Sequence, residues 1–303
     1  MTYNLFLVDS PDPAVMAGAL ATIFEVPVTE VDVADADGDQ EDRNWDALVS
    51  CEYSEVQGNL SLSLDIYAQD SVGQQPSEAE ISATLAHLLD TPVLYPPQES
   101  AMSAHWLVAP GGLVTRARLT ESDGEEPTFT VAAVEAFVDR LPDVPVMHLP
   151  EVVREQKIAT PLADAFAESV ESLKQGENGA NGLTITPDVA ETVRIAKSYL
   201  GAWEKLSRRA EGNWAPSDWY PLEFYREVLE YRDDIEGYVR QLPGDVQTLY
   251  RKYLNEVDGL YREQTVEDHD HVVAGDQAER VTHLAQKAWW WYRRPEPMPW
   301  SEG

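Results

Sequence analysis

The chain has 303 residues, 43% of them hydrophobic, and a net charge of -32. That is long enough for two domains with separate cores and too apolar for disorder, and the negative field argues against direct DNA or RNA binding. Cys51 is the single cysteine, which excludes an internal disulfide and a thiolate metal cage.

The charge is uneven. Residues 1–150 hold 26 acidic and 4 basic residues, against 28 and 18 in 151–303, so the halves stand at -22 and -10. Such a field steers cationic partners inward at salt-dependent rates, and it also confers solubility by itself. The N-terminal sequence lacks the basic region of a signal peptide, and no segment approaches the roughly 18 apolar residues of a membrane span. A soluble cytoplasmic protein is expected.

Tyr3 to Val8 reads as a strand, and Ser10-Pro11-Asp12-Pro13 caps a helix over Val15 to Phe24 that Glu25-Val26-Pro27 ends. Val28 to Val33 alternates as a strand. Asp35 to Asp42 is an acidic loop that departs from a calcium-binding pattern, because glycine stands fourth in it and the twelfth position is Asp46. Asp46 to Val56 and Leu60 to Tyr67 predict a hairpin with one buried face. Ser77 and Glu80 form a capping-box signature ahead of a helix to Leu89, and Trp106 to Ala109 with Leu113 to Leu119 predict a second hairpin across Pro110-Gly111-Gly112. ALATIFEVPV (Ala19 to Val28) is echoed by TLAHLLDTPV (Thr84 to Val93) at a constant offset of 65. A duplicated helix-plus-hairpin unit on a mixed or antiparallel sheet, with both helices on one face, accounts for this.

The run VDSPDPAVMAGALATIFEVPVTEVDVA, with WDALVSCEY, PSEAEISATLAHLLDTPVLYP and WLVAPGGLVTRARL, resembles an accessory domain of actinobacterial toxin-immunity-type proteins over about the first 120 residues. The resemblance implies a binding protein that neutralises a toxin of the same cell or its kin. It carries over no functional residue.

Thr130 to Arg140 and Val152 to Leu173 predict helices, and Lys174 to Asn181 a flexible linker. From Pro187 to Tyr292 four amphipathic helices are expected, separated at Glu211-Gly212-Asn213, Leu242-Pro243-Gly244 and Asp268 to Gly275. Leu222, Tyr225, Leu229 and Arg232 share one face of the second. The tyrosines at 220, 225, 231, 238, 250, 253 and 261 are too many for one core stripe, so some face outward. Exposed tyrosine beside carboxylates, as in Glu230 to Asp234, suits a basic, partly aromatic partner surface. Glu267-Asp268-His269-Asp270-His271, with His283 further on, has the residue types of a transition-metal site, although His-x-His alone is unspecific. Three consecutive tryptophans, Trp289 to Trp291, spread around a helix at about 100° per residue, so at least one ring belongs at the surface or under the proline-rich tail.

The expected architecture is an α+β domain over 1–128, a helical connector and linker over 129–181, and an all-α helical-bundle domain over 182–303. The expected function is a non-enzymatic immunity protein that occludes the active or nucleic-acid-binding surface of a basic toxin, without a cofactor. Trp219, Tyr231, Asp233 and Asp234 are the candidate contact residues. The alternatives are a metal-dependent enzyme using His269, His271 and His283, or an acidic scaffold protein.

Overall fold

The computed structural model describes residues 1–39, 41, 43–97, 104–122, 128–175, 186–275 and 288–300. The chain divides into two compact units, Met1–Glu155 and Gln156–Gly303. It combines helices with a mixed β-sheet, as the composition and patterning predict.

Among the described residues of the first unit, nine strands form one sheet: β1 (Thr2–Leu7), β2 (Val31–Asp35), β3 (Val49–Glu55), β4 (Gln57–Gly58), β5 (Leu62–Ala68), β6 (Val93–Tyr95), β7 (Ala104–Val108), β8 (Val114–Ser122) and β9 (Thr128–Val134). Their spatial order is β2-β3-β5-β1-β6-β7-β8-β9-β4. Helices α1 (Pro13–Phe24) and α2 (Glu78–Leu89) pack against each other. Alternation along the strands sends Tyr3, Leu5 and Leu7 of β1 and Leu62, Leu64 and Ile66 of β5 into the core that both helices cover.

Neighbouring residues of β6 and β7 divide between two cores. Val93 and Val108 join the helix-covered one, while Leu94 and Leu107 enter a second, with Ala117, Val131, Val138, Leu141 and Val144. Period-2 side-chain placement makes these opposite faces of the sheet. Gly58 has φ +110°, and a Cβ there would run into the Phe129 carbonyl oxygen, so the pairing of β4 with β9 requires glycine.

The sequence echo has a structural counterpart. Following the strand directions, β1–α1–β2 and β5–α2–β6 are both crossovers between parallel strands. Their helices are 12 residues long, lie 65 positions apart, and end in left-handed residues, Glu25 and Asp90, whose N–H groups bond to Ala21 and Ala86. The likeness stops there: β3 lies parallel beside β2, whereas β7 turns back antiparallel on β6.

Several local expectations are corrected. Thr130 to Arg140 is not a helix: TFTVAAV is β9, because its β-branched and aromatic residues complete a ladder on β8, and turns follow. The helix expected over Val152 to Leu173 is broken into α3 (Pro150–Glu155) and α4 (Pro161–Gln175), with Pro161 setting the new start. Val28–Glu30 forms a 3₁₀ turn ahead of β2.

The second unit contains α4, α5 (Pro187–Glu211), α6 (Leu222–Val239) and α7 (Gly244–Glu263). Helix α5 packs on α6 and α4, and α7 packs on α4 and α5. Thr186 caps α5, with Pro187 at its first position. The start of α4 is capped from another helix: the Glu204 carboxylate of α5, with no exposed surface, accepts hydrogen bonds from the Leu162 and Ala163 amides at 3.1 and 2.9 Å. It also accepts one from Arg208 at 2.9 Å. Most of the fourth expected helix, 276–287, lies outside the described residues. Its end is no helix: Trp289–Tyr292 is a 3₁₀ turn, and β11 (Arg293–Arg294) then pairs with β10 (Val266–Glu267).

Candidate functional site

Tyr231, Asp233 and Asp234 share one turn of α6, while Trp219 sits half-buried in the connection that precedes this helix. Successive helical residues diverge by about 100°, so Arg232 and Asp233 point in different directions. Arg232 turns inward to Asp258 of α7, and Trp203 of α5 donates its indole N–H to Asp258 Oδ1 at 2.8 Å. Asp233 turns to the 3₁₀ segment, where its two oxygens accept the indole N–H groups of Trp290 and Trp291, each at 2.8 Å. Trp290 also meets Arg232, whose guanidinium lies 4.1 Å from its ring centroid. Both Asp233 oxygens thus serve the fold.

The Tyr231 hydroxyl donates to Glu227 at 2.5 Å, and its ring meets Tyr199 edge-on, 5.2 Å between centroids. Tyr199 also packs on Tyr238 at 5.0 Å. Its phenol is pushed up to about 12, first by hydrogen bonding with Tyr238, then by burial and by charges that include Asp234. The exposed Asp234 and the half-buried Tyr231 remain at the helix surface. The contacts of Asp258 with Arg232 and Trp203 went unread in the sequence. Their signal was a charge, Arg232, on the apolar stripe of Leu222, Tyr225 and Leu229.

A cleft of about 520 Å³ lies beside the His269–His271 loop, with Trp289, Tyr292, Arg262 and Arg293 in its walls. The Arg262 guanidinium stacks 3.7 Å from the Trp289 centroid. Arg293 donates to Thr265 Oγ1 at 2.9 Å and to the Arg262 carbonyl at 3.0 Å, tying the β10–β11 ribbon to the end of α7. Asp268 is buried and accepts from the Val273 amide at 2.9 Å. His269 lies 3.7 Å from Glu267, and His271 is edge-on to Tyr292. His283 lies outside the described residues. Among the described residues no group of three His, Cys, Asp or Glu side chains is placed to hold a metal ion.

Residues 1–150 contain four basic residues, all arginines. Arg43 pairs with Asp32 at 2.6 Å and Glu52 at 3.0 Å, and Arg118 with Glu151 at 2.5 Å. Arg140 pairs with Asp90 at 3.0 Å, and Arg116 stacks 3.6 Å from the Trp106 centroid while donating to the Ala104 carbonyl. Each guanidinium is therefore occupied by the protein itself. In the acidic loop, Asp35 and Asp39 accept from the amides of Asp37 and Glu41, which makes them turn-forming residues. Cys51 is fully buried, and that burial pushes its thiol up to about 12, which removes it as a nucleophile near neutral pH.

No helix among the described residues is long and apolar enough to cross a membrane. Comparison with protein families, curated proteins and solved structures gives no match.

Proposed function

We propose that the chain is a non-enzymatic inhibitor of the immunity or antitoxin type, which binds a basic toxin protein and occludes its active or nucleic-acid-binding surface. One observation carries the reading: all four arginines among residues 1–150 are engaged by neighbouring side chains or backbone, so the net charge of -22 over those residues meets a partner with no free arginine to offset it. Such a surface attracts a basic protein from a distance, and tight binding then requires aromatic anchors at close range. In this reading the second unit is a helical bundle, Tyr231, Asp234 and Trp219 contact the partner, and Asp233 fixes the tryptophans beside them. Binding takes place in the cytoplasm and without a cofactor.

The test is affinity capture on the full chain from a lysate of the native cell at low and high salt, followed by expression of each retained protein with and without this chain. The expected result is a basic protein that is released by salt, arrests growth alone and is tolerated on co-expression. Retention that is indifferent to salt, or a retained protein that is harmless alone, overturns the reading. Salt-indifferent retention of acidic housekeeping proteins would favour the scaffold alternative.

A further inference from the structure

In the first unit, the β7–β8 turn at Pro110 and Gly111, the chain at Pro92, and the segment after β9 enclose a groove of about 320 Å³. Its apolar side is open to solvent. Phe137 is 55% exposed and Leu113 37%, and Val114 next to Leu113 is 52% exposed, although Val138 beside Phe137 is buried in the core. An aromatic ring held out by a neighbour that anchors the backbone is ready to be covered by something else. Asp90 and Asp139 also line the groove, and the Asp90 side chain is 78% exposed. The cation in its lining, Arg140, is 3.0 Å from Asp90 and 3.6 Å from Asp9, so its charge is already matched.

We infer that this groove seats an apolar side chain of a basic partner protein, with flanking lysine or arginine residues facing Asp90 and Asp139. The inference rests on the basic-partner reading above and moves one contact from α6 to the first unit. Charge selects the occupant. A second copy of this chain, at -32, would bring acid to acid, whereas a cationic segment relieves the carboxylates while its apolar side chain covers Phe137 and Leu113. Affinity at such a site is concentrated in the aromatic contact and steered by the rim charges.

The probes are three labelled peptides: phenylalanine flanked by lysine pairs, the same peptide with alanine for phenylalanine, and the same peptide with glutamates for lysines. Each is titrated into the full chain by fluorescence anisotropy at low and high salt, alongside Phe137→Ser and Asp139→Asn variants. Phe137 is exposed, so the serine variant should keep the parent melting temperature. The expected result is salt-sensitive binding of the lysine–phenylalanine peptide, weakened about tenfold by Phe137→Ser and by loss of the phenylalanine, and less by Asp139→Asn. The glutamate peptide should not bind.

Salt-sensitive binding that ignores Phe137→Ser overturns the groove and leaves the basic-partner reading standing. Failure of every lysine peptide at low salt overturns the groove, and lysate capture then decides the broader reading independently. Equal binding of the glutamate peptide overturns the charge argument. A dimer that Phe137→Ser dissociates would place a second copy in the groove and overturn the proposal.

Discussion

Arg232 and Asp258 form a doubly hydrogen-bonded ion pair between α6 and α7, at 3.1 and 2.9 Å, with 5% and 7% of their side chains exposed. Removing one partner strands the other charge in a site that water does not reach. Asp258→Asn is expected to cost about 3–5 kcal/mol, while replacing both residues with apolar ones of similar volume should recover only part of that, because the buried Trp203 indole N–H then loses its acceptor. Urea unfolding of the two single variants and the double variant measures it. A loss below about 1 kcal/mol in Asp258→Asn would mean that the pair is not closed in solution.

Asp233 should behave as a clamp, because it accepts two indole N–H groups. Hydrogen bonds to a charged group contribute about 1.5–3 kcal/mol each, and because Asp233 is itself exposed to water the two together should be worth about that much, so Asp233→Ala should destabilise by a similar amount and change the near-ultraviolet dichroism of the tryptophans. Asp233→Asn keeps one acceptor oxygen and should lose about half as much. An alanine variant with an unchanged tryptophan spectrum would place Trp290 and Trp291 elsewhere.

The two left-handed helix ends predict a difference. Glu25 and Asp90 have φ of 55° and 50°, a conformation that costs a non-glycine residue about 1–2 kcal/mol. Glycine removes that cost but adds freedom to the unfolded chain, so Glu25→Gly should gain about 0.5–1 kcal/mol. Asp90→Gly should gain less, because the same change releases Arg140. Paired thermal melts decide; a larger gain at Asp90 would contradict the ion-pair assignment.

Alkaline pH should destabilise the protein. Burial raises the Cys51 thiol from 9.0 to about 12 and lifts the Tyr225, Tyr250 and Tyr261 phenols above their ordinary 10.0. These groups are neutral in the folded state, so their stabilisation is complete below the unfolded values and is lost as pH rises through the folded ones. Melting temperature should fall progressively above about pH 9, and a Cys51→Ala variant should lose less over the first part of that range. In the native state Cys51 should resist iodoacetamide near pH 8 and react fully after denaturation. A flat melting profile to about pH 12 would show that these side chains are not buried as described.

The sequence by itself determined what short range fixes. The Ser77–Glu80 capping box forms as read, as do the two hairpins, and the helix ends at Glu25 and Asp90 adopt equivalent caps. In each case the controlling residues lie within a few positions of one another, or alternate along one strand, so local patterning carries the information. Thr130 to Val134 shows the limit: its apolar residues fit a helix as well as a strand, and the exposed edge of β8 decided between them.

Tertiary structure alone decided which polar groups are spent inside. Asp233 and Asp234 are adjacent, chemically identical and both exposed, yet the carboxylate of the first holds two tryptophans 57 and 58 positions away. Arg43, Arg118 and Arg140 likewise find their carboxylates through chain crossings that no spacing rule encodes. A charge pair forms wherever the fold brings its members within about 4 Å, and that distance is set by the packing of the whole core rather than by neighbours in sequence.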